Sequence, residues 1–404
     1  MKRIIIIASI ALLTGCAGPT KAGKEARASA HKRMDVVNAG LAAQQAKQQF
    51  EVGELETSIE TIDAAIARLG ENSSYHLLRG RILIEQHKLD AAHKSLTRSV
   101  ELSPEVAEPH YFLGILYQRW SEDKEALASY KKAMECDPTH LQYLLAASES
   151  HVALNQLDEA IEMLRGVGKE FKHHPSVSSL LGHIYLRKGC ADEATKYLSD
   201  SLLLGDDDAS TLTLLVTSQF LAGKYADCLL SIARLQELNP TLPFNIQRLQ
   251  GKCFSSTGRK IKGRDICLMV ARETPDDAEA WIDLGYIAWD MGDYNRVAVC
   301  GEKILQLNPE LSEGPLFLGI SEIRSGNSHQ GLELLAKAQS DNTIDGLDLL
   351  VQSYAKRAKL RAKRPITPNV TTKIVEGDAE QHSQKLAEGS QPIVGVTQDS
   401  PLAP

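Results

Sequence analysis

The residue patterns that suggest chemistry lie within the first 25 positions. Gly18-Pro-Thr-Lys-Ala-Gly23-Lys24 matches the first seven positions of a phosphate-binding loop, and Leu13-Thr14-Gly15-Cys16 places a thiol behind small residues. A phosphate loop needs a hydroxyl after its lysine to hold Mg²⁺, and here that residue is Glu25. It also needs a buried strand before it, so that helix N-terminal amides face the phosphates. What precedes it is Lys2 and Arg3, then a ten-residue apolar run, 4–13, broken only by Ser9. Nucleotide chemistry is therefore not expected. His173 and His174 invite a metal, but they adjoin Pro175 and have no third ligand in sequence, which reads as a turn. HExxH, GxSxG, a dinucleotide-binding glycine loop and an EF-hand loop are all missing from the sequence. No catalytic residue, metal site or cofactor is expected.

Cys16 has a different setting. The ten-residue run after the positive start is half the ~20 needed for a spanning helix, and small residues lead directly to the thiol. The combination resembles a bacterial lipoprotein signal peptide. That resemblance implies a diacylglycerol thioether on Cys16, cleavage before it and acylation of the new terminus. An ordinary signal peptide with an incidental cysteine is the alternative. Buried acyl CH₂ groups contribute roughly 0.8 kcal/mol each, so several chains together hold a protein on a membrane. Ala17 in place of Asp implies outer-membrane sorting, with the chain facing the periplasm.

The 404 residues carry a net charge of −7, or −9 once Lys2 and Arg3 are removed, which argues against general nucleic-acid binding. Aromatics are 5%, and the abundance of Ala and Leu suits helices packed by small and aliphatic groups. The remaining cysteines, Cys136, Cys190, Cys228, Cys253, Cys267 and Cys300, form no CxxC and no disulfide framework. They read as small packing residues, with a Cys253–Cys267 bridge as the alternative.

The elements that must position any binding side chain follow from a ruler of 34 residues. Gly80, Gly114, Gly182, Gly251, Gly285 and Gly319 keep one register, with Ser148 and Val216 in the two missing places and a single one-residue slip. Pro104, Pro138, Pro240, Pro275 and Pro309 each follow a marker by 24 residues. Ala92, Ala126, Ala160, Ala194, Cys228 and Gly263 each follow one by 12. In "EPHYFLGILYQRWSEDKEALASYKKAMECDP", residues 108–138, Leu113-Gly114, Tyr117, Ala126, Tyr130, Ala133 and Pro138 resemble the tetratricopeptide repeat. The physics agrees: two side-chain-poor positions let antiparallel helices approach, tyrosines fill around them, and proline ends the second helix.

The resemblance implies an all-α superhelical solenoid of eight to nine helix-turn-helix repeats. Eight units run from about 73 to 342, and a weaker one precedes them with Ser58 and Ala65 at its small positions. The organisation read from sequence is a signal peptide (1–15), an acylated tether (16–38), the repeat array (39–342), a capping helix with a basic end (343–364) and a disordered tail (365–404). The capping helix is read from Leu347, Leu350, Val351, Tyr354 and Ala358 at helical spacing. The tail holds five of the fifteen prolines.

In tetratricopeptide arrays the first helix of each repeat lines the concave face. Carrying that register over puts Tyr111, Ile115, Gln118 and His183 on the groove, followed by Phe220, Arg248, Lys252, Tyr286 and Trp289. Arg248 and Lys252 read as one basic step, and Tyr286 with Trp289 as an exposed aromatic pair of hot-spot composition. Leu77, Arg81, Ile84, Leu186, Thr217, Ile320 and Ile323 share the register, with Leu77, Leu186 and Ile320 expected to pack between repeats. The function expected is a non-catalytic scaffold for protein or peptide partners in the cell envelope. Lipobox plus repeats resembles pilotin and Flp/Tad-type lipoproteins that assist assembly of a pilus or secretion complex. The alternative is an adaptor that recruits murein hydrolases or proteases to the outer membrane.

Overall fold

The computed structural model describes residues 21–339, apart from 167, 169, 170, 206 and 207, together with residues 352 and 356. The residues read as a signal peptide, Cys16, those read as a capping helix apart from two isolated positions, and those read as a tail lie outside the described residues. Among the described residues there are eighteen α-helices and no strand. They pair in chain order into nine antiparallel hairpins. The first is α1 (Lys21–Glu51) with α2 (Leu55–Arg68), followed by α3 (Ser73–Glu85) with α4 (Leu89–Leu102) and α5 (Ala107–Arg119) with α6 (Asp123–Cys136). Next come α7 (Leu141–Ala153) with α8 (Leu157–Arg165), α9 (Pro175–Arg187) with α10 (Ala191–Leu203), and α11 (Ala209–Leu221) with α12 (Tyr225–Leu238). The last three are α13 (Phe244–Ser256) with α14 (Lys260–Glu273), α15 (Ala278–Met291) with α16 (Tyr294–Leu307), and α17 (Glu313–Ser325) with α18 (Ser328–Gln339).

The 34-residue ruler has a direct mechanical meaning. A Cβ added at Gly114 would lie 2.4 Å from the Tyr130 ring, and one at Gly80 or Gly182 would lie 2.6 or 2.5 Å from Leu96 or Leu198. The marker is thus the socket for the residue 16 positions later, on the second helix of its own hairpin. In the repeat of Gly285 that later residue is Gly301, and Phe317 of the following helix fills the socket instead, 2.2 Å from the Cβ position. Side chains such as Tyr130, Leu96, Leu198 and Phe317 are fully buried, a burial worth about 1.5–3 kcal/mol each. No single hairpin can cover such residues alone, so neighbours stack.

Both ends of each hairpin obey local rules. Pro104, Pro138, Pro240, Pro275 and Pro309 each sit two residues past the end of a second helix. Proline drives the residue before it out of helical geometry, and Ser103, Asp137, Asn239, Thr274 and Asn308 accordingly have ψ between 64° and 99°. Between the two helices one residue is left-handed in every repeat, seven places after the marker. Gly189, Gly223, Gly258, Gly292 and Gly326 occupy it in later repeats, and His87, Ser121 and Asn155 in earlier ones.

Gly53 falls in the same register seven places after Ala46, which is fully buried. The Ser58 hydroxyl donates to the Ala46 carbonyl at 2.7 Å, so α1 and α2 form the weak first unit. The boundary drawn at residue 38 does not coincide with a break, because α1 runs without interruption from Lys21. Its first half is almost wholly exposed, and contact with the array begins at Ala39.

His174 is the N-cap of α9, its Nδ1 accepting the Ser176 N–H at 3.3 Å. The six cysteines among the described residues are free, four of them buried. The near neighbour of Cys253 is Cys228, whose thiol donates to the Val216 carbonyl at 3.4 Å, while the Cys267 sulfur fills the Gly251 socket. Burial pushes the Cys267 and Cys300 thiols up to about 12, as befits packing residues. No described helix is long and apolar enough to cross a membrane.

Candidate protein-interaction groove

Successive first helices touch one another along the array, α3 on α5, α7 on α9, α9 on α11, α11 on α13 and α13 on α15. The residue one place after each marker therefore recurs along one row: Arg81, Ile115, Glu149, His183, Thr217, Lys252, Tyr286 and Ile320. Ile320 is fully buried and Leu77 nearly so, while Leu186 packs against the core. The others reach the surface to different degrees.

Toward the C-terminal end, a groove of about 440 Å³ opens between α11, α13 and α15. Phe220, Lys252 and Tyr286 line it, joined by Tyr225, Ser255, Asp283 and Asp290. The Lys252 ammonium sits 5.0 Å above the Phe220 ring and donates to Asp283 Oδ1 at 2.9 Å. The Arg248 guanidinium donates to Asp283 Oδ2 at 2.7 Å, to Glu279 at 2.9 Å and to Asp277 at 3.3 Å.

The pair expected as a basic step is thus held by three carboxylates, one of which, Asp283, is only 8% exposed. The correction has a spatial cause. Asp283 lies two places before the marker of the next repeat, where a first helix faces back along the array, and sequence reading passed over it. Tyr286 is 37% exposed, stacks on Trp289 at 6.3 Å and meets the Phe317 edge at 5.0 Å. Burial and then Glu313 push its phenol up to about 12. Trp289, expected to be exposed with it, is half-buried against the core of α15, α16 and α17.

Two to four repeats earlier the surface is built differently. Tyr111 is half-buried among Tyr130 at 5.6 Å, Tyr143 at 5.1 Å and Phe112 at 5.4 Å. Gln118 accepts from the Tyr130 hydroxyl at 2.6 Å and donates to Ser150 at 3.5 Å, so its amide links α5 to α6 and α7. Ile115 is half-buried beside them. Glu149 falls on this row too, and it was missed because Ser148 replaces the marker glycine that would have announced it.

Glu149 is exposed, and the protein around it partly desolvates its carboxyl, which raises its pKa above the ordinary carboxylate value. Its charge in turn raises the Tyr111 and Tyr130 phenols, after the larger effect of their own burial. Next along the row is His183, whose pKa is lowered by burial and by Arg187. At the start of the row the Arg81 guanidinium lies between two rings, 5.5 Å from Phe50 and 4.8 Å from Phe112.

Models described as tetratricopeptide repeat match residues 77–140, 124–184 and 278–311. Curated relatives include Tetratricopeptide repeat protein 37 of Xenopus laevis, 25% identical over 47% of this chain and 13% of that protein. Peroxisome biogenesis protein 5 of Arabidopsis thaliana is 32% identical over 25% of this chain and 14% of its own length. Protein O-mannosyl-transferase TMTC1 of Homo sapiens is 26% identical over 60% of this chain and 22% of its own.

The chain therefore spans less than a quarter of each of these relatives, and their whole-protein activities are not carried over. Among solved structures, one described as a functional characterisation of Pseudomonas aeruginosa pilF matches with TM-score 0.44 and 18% identity, over 52% of this chain and 94% of that one. A C-terminal repeat segment from Cytophaga hutchinsonii matches with TM-score 0.44 and 15% identity, over 68% and 98%. With the hairpin geometry and the family matches together, residues 77–184 and 278–311 of this chain are tetratricopeptide repeats, and the chain is a scaffold for protein–protein interaction.

Proposed function

We propose that this scaffold is held at a membrane through acylated Cys16 and captures proteins of the cell envelope along its concave face, assisting assembly of a pilus or secretion complex. The observation that carries the capture is the row of first-helix side chains, which exposes Tyr286 beside a groove of about 440 Å³. A half-exposed aromatic above a groove is a favoured anchor for a partner's apolar side chain. The membrane and envelope parts rest on the resemblance of residues 1–16 to a lipoprotein signal, and the choice of machine rests on that signal combined with a repeat array.

The test places a photoreactive amino acid at Tyr286 in intact cells, with a second at Leu230, an exposed residue on the second helix of its hairpin. Captured proteins are then identified by mass spectrometry. Pilus or secretion components crosslinked from position 286 and not from 230 support the proposal. Murein hydrolases or proteases captured from 286 point to the adaptor instead, and equal capture from both positions removes the groove assignment. The anchor is checked separately: the Cys16→Ser chain should leave the membrane fraction, and its persistence there would reject acylation at that residue.

A further inference from the structure

Of the three charged side chains on the row, Lys252 is matched by Asp283, and Arg81 and Glu149 are not. Arg81 on α3 makes no ion pair or hydrogen bond among the described residues. Its Nε is shielded from solvent without a partner, and its guanidinium carbon lies over the Phe50 and Phe112 rings at 5.5 and 4.8 Å. It lines a cavity of about 360 Å³ with Lys47, Ser74, Tyr75 and Glu108. Of these, Lys47 is loosely paired to Glu51 at 3.9 Å. Ring contacts use the guanidinium face and no donor, and the two Nη groups, which no described protein group accepts from, suit two parallel hydrogen bonds to a carboxylate. Glu149 on α7, two repeats further on at the same register position, has no hydrogen bond or cationic partner among the described residues. Ile115 lies between them.

Resting on the proposed role of the concave face, we infer that the row from α3 to α7 receives an extended peptide segment of a partner protein. That segment presents an acidic side chain to Arg81, an apolar one to Ile115 and a basic one to Glu149. Complementary charge is the argument. Arg81, whose Nε is cut off from water without a partner, and Glu149, which is exposed without a cation beside it, both gain when a ligand supplies the counter-charge and its hydrogen bonds.

The geometry also sets the spacing. Neighbouring first helices pack roughly 8–10 Å apart, so two repeats span roughly 16–20 Å. An extended chain rises about 3.3 Å per residue and alternates faces. The acid and the base therefore stand about six residues apart, an even number that keeps both on the face toward the groove.

The test selects a displayed library of random twelve-residue peptides on the full chain purified in detergent. Winners should carry one acid and one base about six residues apart, and Arg81→Gln or Glu149→Gln should each weaken them at least tenfold. Selection on Arg81→Glu should replace the acid with a base. Circular dichroism checks that the variants keep their helices, and Arg81→Lys, which keeps charge without the planar fork, should bind with intermediate strength.

Winners without the charge pair, winners indifferent to both variants, or no winners at all would overturn the inference. The broader scaffold reading fails separately, by equal crosslinking from positions 286 and 230. Capture from 286 combined with charge-indifferent peptides would sink only the charge-pair inference.

Discussion

The two ends of the concave row solve the same electrostatic problem in opposite ways. Between α11 and α15, Arg248 and Lys252 meet the buried Asp283 at 2.7 and 2.9 Å, and Asp277 and Glu279 take the rest of the guanidinium. The cations there join adjacent repeats. Between α3 and α7, Arg81 and Glu149 hold opposite charges two repeats apart, too far to meet, with aromatic side chains around them. The same register position thus acts as an internal latch in one region and as an open contact in the other. What separates the two cases is whether the next repeat places a countercharge two residues before its marker.

Removing the latch should have the largest effect. Asp283→Ala leaves Arg248 and Lys252 without their shared buried partner and should destabilise the array by about 3 kcal/mol. This is the low end for a broken buried ion pair, because Asp277 and Glu279 remain. Since a repeat array melts by parts, the check is hydrogen exchange, with protection falling first in α13 and α15. Equal loss in α3 and α5 would mean that the two regions are not separately held.

The corresponding disturbance in the N-terminal region is Gly114→Ala. The new methyl would press on the Tyr130 ring, whose hydroxyl holds Gln118, and overpacking of this kind costs about 2 kcal/mol. Urea denaturation followed by circular dichroism should show that loss, and a neutral result would mean the socket yields.

The hairpin turns distinguish the two regions by a smaller amount. His87 and Ser121 hold φ of 57° and 61° where later repeats have glycine. His87→Gly and Ser121→Gly should each stabilise by roughly 0.5 to 1 kcal/mol, the left-handed strain relieved less the added freedom of the unfolded chain. Asn155→Gly, at φ 58°, should gain less, because the short Asn side chain can hydrogen-bond locally in this region. Thermal melts of the three variants would show whether that ranking holds.

The smallest effect concerns Glu149. Its raised pKa means that the fold favours the protonated form, so the ionised group lowers stability as pH climbs through the folded value. Glu149→Gln should therefore melt at a higher temperature than the parent protein at pH 7, and the difference should vanish below about pH 4.3, where the unfolded group is also protonated. A difference that grows on acidification would contradict this account of the site.

Much of the fold was legible because its determinants are local. Gly80, Ala92, Leu96 and Pro104 act within one hairpin, where helix pitch alone decides which residues meet. A pattern repeated every 34 residues therefore reports two antiparallel helices wherever it falls. Three features escaped that reading for separate physical reasons. Glu149 follows a serine marker, so the small residue that signals close packing was not glycine. The left-handed position at His87, Ser121 and Asn155 carries no shared residue type, because three chemistries tolerate the same backbone. Asp283 contacts Arg248 only through the angle at which one repeat settles on the next.

By itself the sequence determined that the helices pair into hairpins repeated along the chain, since this follows from short-range sterics and the 3.6-residue turn. Tertiary structure alone decided which charges on the concave row are neutralised and which stay open, because ion pairs form across repeats 29 to 35 residues apart, at distances set by the stacking of hairpins and not by the spacing within them.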